Sequence, residues 1–74
     1  MNAKETRALR LFGKNIAKLR RAGGLTQEQL AERSDLAVAT IASIEQGKRW
    51  ARLTTLQRLA KALRVATDEL LKGL

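Results

Sequence analysis

Leu25-Thr26-Gln27-Glu28-Gln29-Leu30-Ala31, and then Ile41-Ala42-Ser43-Ile44-Glu45-Gln46-Gly47-Lys48, are the stretches that decide how this chain folds. Thr26 carries a hydroxyl that accepts a first-turn amide, so it caps a helix that runs to about Ser34 and buries Leu30 and Ala31. Asp35 falls where a turn asks for positive φ, which Asp tolerates better than most residues. Leu36 then plugs the core beneath the turn. A second helix follows from about Val38 to Gln46, burying Ile41 and Ile44, and Gly47 is its natural stop. Residues 26–46 therefore predict two short amphipathic helices around a tight turn.

The rest of the chain reads as helix on both sides. Proline is absent and aromatics make up 3%, a composition that favours helices over strands. Leu9, Phe12, Ile16 and Leu19 recur at three- and four-residue spacing, predicting a helix from about Ala3 to Ala22 that Gly23-Gly24 ends. After Lys48-Arg49-Trp50-Ala51-Arg52, a fourth helix is expected over about Leu53 to Leu63. Its stripe is Leu53, Leu56, Ala60 and Leu63, with Leu59 beside it. Thr67 is read as the cap of a short fifth helix, with Asp68 and Glu69 in its first turn, where carboxylates favour the helix dipole. The expected architecture is all-α, one compact five-helix domain over 1–74.

Composition excludes several classes of function. The 74 residues suffice for one small core, and no apolar run approaches the roughly 18 residues of a membrane span. The charged N-terminus does not resemble a signal segment, so the cytoplasm is the expected compartment. Cysteine and histidine are both absent, which removes the usual ligands of zinc, haem and iron–sulfur sites. The commonest general base and the thiol nucleophile go with them. No metal, no cofactor and no enzyme activity are expected.

Charge then points to a partner. The net charge is +8, concentrated in two segments. Residues 1–21 hold Lys4, Arg7, Arg10, Lys14, Lys18, Arg20 and Arg21 against only Glu5. Residues 48–64 hold Lys48, Arg49, Arg52, Arg58, Lys61 and Arg64 against no acid. Basic segments flanking a mixed centre suit a polyanion gripped on either side of an inserted element; solvated helix faces are the plainer alternative. Two helices about a short turn on such a scaffold are the sequence form of a helix-turn-helix, so double-stranded DNA is the expected partner.

From Leu25 to Leu70 the chain resembles the phage-repressor and Cro type of helix-turn-helix regulators, the lambda-repressor-like family often called the xenobiotic-response-element type. Besides the segments quoted above, Thr40, Arg49, Thr55-Leu56, Leu59-Ala60, Ala62-Leu63 and Val65 match, and Ile16, Leu19, Arg20 and Gly24 match more loosely. The resemblance implies a transcriptional regulator, repressor or autoregulator, that binds a palindromic operator as a dimer with its third helix in the major groove. It places base reading on Val38, Ala39, Thr40, Ala42 and Ser43. It places phosphate contacts on Gln27, whose amide would also steady the start of the third helix, and on the loop residues Lys48 and Arg49. Arg20 and Glu45 stand where the family has a structural salt bridge. The chain departs from the family pattern in four ways: Asp35 and Arg64 replace glycines, Ala37 replaces a capping Ser or Thr, Ala51 replaces Pro, and Arg52 replaces a polar cap.

The base-reading set is plain. No Arg for guanine and no Asn or Gln for adenine stands on the first turns of that helix. Val38 and Ala39 suit thymine methyls, Thr40 and Ser43 offer hydroxyls, and Gln46 reaches a phosphate or base edge. Arg52 joins the phosphate set, while Arg58, Lys61 and Arg64 are expected to be a solvated face. Trp50 packs against the fourth helix or lies on the sugar-phosphate backbone, packing being favoured. Leu70 is expected to close the core, with Leu71 and Leu74 left for a homodimer contact. The length leaves no room for an effector module, so no small-molecule ligand is expected. Two other readings compete: an antitoxin-like module neutralising an acidic partner protein, and nonspecific architectural DNA binding.

Overall fold

Four of the five helices end in the same way, and this shared ending sets the path of the chain. The computed structural model describes residues 1–74 as α1 (Ala3–Ala22), α2 (Gln27–Ser34), α3 (Val38–Glu45), α4 (Leu53–Leu63) and α5 (Thr67–Leu70), with no strand. After α1 to α4 the backbone turns left-handed at Gly24, Asp35, Gly47 and Arg64, with φ of 72°, 56°, 74° and 59°. The following residue then donates its N–H back into the last turn. Leu25 bonds the Arg20 carbonyl, Leu36 that of Ala31, Lys48 that of Ser43 and Val65 that of Ala60, all at 2.9–3.0 Å. This is the Schellman ending, which satisfies orphan carbonyls and folds the next side chain inward. Leu25 is buried, and Leu36 and Val65 are half-buried.

Helix starts are less uniform. Asn2 accepts the Glu5 amide at 2.9 Å. Thr26 accepts the Gln29 amide at 3.0 Å while the Gln29 side chain accepts the Thr26 amide at 2.9 Å, a full capping box. The starts of α3, α4 and α5 have no side-chain cap. Thr67 is not the cap of the fifth helix. Val65 turns inward after the left-handed Arg64, so the last extended residue is Ala66 and Thr67 already lies inside α5.

The core takes side chains from every helix. Phe12 and Ile16 of α1, Leu30 of α2, Ile41 and Ile44 of α3, Leu59 of α4 and Leu70 of α5 are fully buried. Each such side chain contributes roughly 1.5–3 kcal/mol on leaving water. α1 packs on α3, α2 on both α3 and α4, and α5 closes the bundle against α4 and α1. The α1–α3 approach is unusually close at Gly13, where an added methyl would overlap the Ile44 carbonyl oxygen and meet that of Glu45 at 3.0 Å. Asn15 donates from Nδ2 to the carbonyls of Leu70 (3.1 Å) and Lys72 (2.9 Å), tying the C-terminal segment to α1. No helix is long and apolar enough to cross a membrane.

Two readings of the sequence are corrected. The buried face of α4 is Leu59, Ala60 and Ala62, with Leu56 and Leu63 only half-buried and Leu53 66% exposed. Leu53 lies in the first turn, about 120° around the helix from Leu59, and faces solvent. Trp50 packs, but on α1, stacking on Phe12 with ring centroids 5.4 Å apart. The expected end of α3 at about Gln46 holds within a residue, since Gln46 is the C-cap and still donates to the Ala42 carbonyl at 2.9 Å.

Two substitutions test this description with opposite signs. Gly13→Ala should lower unfolding free energy by about 2 kcal/mol, because backbone cannot yield to the added methyl. Arg64→Gly should raise it by about 1 kcal/mol by relieving the left-handed strain. Urea denaturation followed by circular dichroism checks both.

Candidate nucleic-acid interface

Helix α3 is fixed to the bundle by one polar cluster. Arg20 is buried on α1, and its Nε donates to Glu45 Oε2 at 2.7 Å while Nη2 donates to Oε1 at 2.9 Å. Its Nη1 donates to the Leu25 carbonyl at 2.9 Å. From the first residue of α2, Gln27 donates its Nε2 to Glu45 Oε1 at 3.1 Å. Two helices, α1 and α2, therefore converge on the last residue of α3. The bidentate fork is the strong form of this contact, and no buried polar side-chain atom is left without a partner.

The electrostatics follow from that geometry. Burial pushes the Glu45 carboxyl up, but hydrogen bonds from Arg20 and Gln27, with the Arg20 charge, outweigh it and hold the group below its ordinary value. The hydrogen bond to Glu45 raises Arg20 above its ordinary value against the opposing effect of burial. A carboxyl that titrates lower in the folded chain contributes stability that is present above the unfolded value of 4.5. That stability is lost as pH falls through the lower, folded value.

With that end held, α3 turns one face outward. Val38 and Ala39 are exposed, and Ala42 and Ser43 are half-buried beside them. Gln46 continues the same stripe and is exposed. Thr40 lies at the edge of this face, half-buried and about 60° around the helix beyond Ser43, and lines a hollow of about 360 Å³ with Arg49, Trp50, Arg52, Thr54 and Thr55. Gln27 departs from its expected placement, because its amide is bonded to the end of α3 and not to the start. Lys48, Arg49 and Arg52 are all exposed on the loop beyond α3. Gly47 lets that loop run against α1, where an added methyl would meet Arg10 at 3.0 Å.

Of the 15 lysines and arginines only Arg20 is in an ion pair, so the others remain available to a polyanion. Leu71 (37% exposed) and Leu74 (52% exposed) lie apart from this face, at the C-terminal end. Leu74 borders a shallow depression with Ala8 and Leu11 of α1. Sequence reasoning missed Asn15 and Gln29. The Gln29 role was legible in the Thr26-x-x-Gln29 spacing, whereas nothing local marks Asn15, whose partners lie more than fifty residues away.

Residues 16–70 match the helix-turn-helix family model. The HTH-type transcriptional regulator y4dJ of Sinorhizobium fredii, itself uncharacterized, is 44% identical over 61 residues, 82% of this chain and 79% of that protein. The control protein C.SmaI of Serratia marcescens is 41% identical over 61 residues, 82% of this chain and 73% of its own length. The crystal structure of the restriction-modification controller protein C.AhdI from Aeromonas hydrophila superposes with a TM-score of 0.82 at 39% identity, covering 84% of this chain and 94% of that one. The chain belongs to the helix-turn-helix family.

Removing the acidic centre of the cluster is the direct test of its weight. Glu45→Gln should destabilise the fold by about 3 kcal/mol at neutral pH, since it strands the buried Arg20 charge. It should also flatten the loss of stability that the unmodified chain shows as pH falls below 4.5. Urea titrations over a pH series read both effects.

Proposed function

We propose that this chain is an operator-binding transcriptional regulator that works as a two-fold dimer, with α3 in the major groove of each half-site. The observation that carries the reading is the free face of α3. The helix gives only Ile41 and Ile44 to the core, and the apolar Val38 stands 41% exposed beside Ala39. That face is bordered by the unpaired cations of the following loop. The relatives are named as transcriptional regulators and restriction-modification controllers, which supports regulation through DNA.

In this reading the small side chains let α3 sit deep. Val38 and Ala39 touch thymine methyls and the Ser43 hydroxyl bonds a base edge, with Ala42 between them. Gln46, Lys48, Arg49 and Arg52 take phosphates, and Thr40 serves that side from its hollow. Gln27 acts mainly by holding Glu45, with the remaining capacity of its amide open to a phosphate. Affinity then rests on the backbone contacts, and sequence preference comes from T-rich half-sites and DNA deformability. Leu71 and Leu74 supply the two-fold contact that sets half-site spacing at about 34 Å. The regulator acts as a repressor or autoregulator without cofactor or small-molecule ligand. It works in the cytoplasm, where the DNA of its bacterial relatives lies.

Selection of bound sequences from a random duplex pool tests this. The expected product is an inverted repeat with T-rich half-sites, bound about a thousandfold more tightly than scrambled DNA. Val38→Ala should lower that preference by about tenfold, the lower end of one base contact. A pool that remains unenriched, or a Val38→Ala chain with unchanged preference, contradicts base reading by α3.

A further inference from the structure

The basic surface does not stop at the loop after α3. Arg33 near the end of α2, with Arg58 and Lys61 on α4 and Arg64 just past its end, lines one hollow of about 590 Å³. Asp35 is the single carboxylate there and pairs with none of them. α2 and α4 both end at this place, and two helix carboxyl ends together present about one negative charge. Four cations against Asp35 and those helix ends leave an excess of about two positive charges. Neutralising the helix ends therefore does not account for all of them. Arg64 holds its place at φ 59°, a backbone conformation that glycine takes without strain and arginine does not.

Arg58 connects this hollow to the one beside α3. It also lines the space bounded by Thr40, Arg49 and Arg52. The two hollows thus form one band of unpaired cations that runs from the flank of α3, over α4, to the end of α2.

We propose that this band is a second phosphate track, which holds the backbone of the duplex flanking the segment that α3 reads. The inference rests on the DNA-binding reading above and extends it from the half-site to the flank. Continuity with the α3 side favours duplex DNA over an acidic polypeptide. From Arg58 to Arg64 the chain advances roughly 9 Å, the axial length of two or three phosphates on one strand. Guanidinium forks suit phosphate oxygens, and three of the four cations are arginines. The track carries no base contact, so it makes affinity depend on how readily the flank bends toward α4.

The test compares a short duplex holding only the selected operator with the same operator extended by about one helical turn at each end. Anisotropy titrations over about 50 to 200 mM salt are run on the unmodified chain and on Arg33→Gln/Lys61→Gln. The variant should bind the short duplex as the unmodified chain does. On the extended duplex its slope of log K against log salt should be shallower by about 3.6, two phosphate contacts from each protomer of the dimer at about 0.9 each. An unchanged slope and affinity, with circular dichroism showing a folded variant, would overturn the track. Loss of polyglutamate binding with extended-duplex binding untouched would overturn it too, and would give the surface to an acidic polypeptide. If neither duplex is preferred over scrambled DNA, yet the variant alone loses the salt-dependent advantage of extension, the track stands and base reading by α3 falls.

Discussion

The contact of α1 with the end of α3, at Gly13 and at the Arg20–Glu45 pair, is the constraint on which the rest of the structure depends. Gly13 brings the two backbones together, and Arg20 reaches from the same helix to take both oxygens of Glu45. Gln27 closes the cluster from α2. A buried pair of this kind is weak evidence for net stability, since an apolar replacement of equal shape can do as well. What it supplies is orientation. A helix of eight residues that buries two isoleucines has little else to fix its rotation about its own axis. The cluster determines that Val38 and Ala39 face outward and that Thr40 lies at the edge of that face, toward the hollow beside α4.

The helix so positioned is locally undemanding. α3 has no side-chain cap at Ala37, and it follows a left-handed Asp35 where glycine would fit without strain. These features remove small increments of stability while leaving the helix in place, because Ile41 and Ile44 hold it from beneath. Val38, Ala39, Ala42 and Ser43 are small and offer no bidentate hydrogen bonds. A regulator built this way relies on phosphates for affinity, and the unpaired cations of the loop and of α4 provide for that.

Much of the fold was legible in the sequence. The Thr26 cap, the left-handed turn at Asp35 and the stop at Gly47 are set by neighbouring residues, and the paired glycines after α1 act equally locally. Those signals placed the ends of α1, α2 and α3 within a residue. The misreadings have a common cause. Spacing alone marks the stripe of α4 but does not say where along the helix its neighbours stop, and Leu53 lies in the exposed first turn. Trp50 found Phe12, a partner 38 residues earlier that no local pattern indicates. Thr67 has the right side chain for a cap, but Val65 packing inward moved the helix start by one residue. At the candidate site, residue types pointed to the outward face of α3 and to the cations around it. The direction of the Gln27 amide and the rotation of Thr40 depend on tertiary contacts that a linear reading does not contain.

The central claim is that a clamped α3 presents its outward face to DNA. Mapping backbone amide shifts of the ¹⁵N-labelled chain on titration with duplex DNA tests it most directly. The account predicts the largest shifts at Val38, Ala39, Ala42 and Ser43, continuing into Lys48 and Arg49, with Arg20 and Ile44 nearly still. Shifts confined to the basic residues of α1, with the α3 face unmoved, would contradict it.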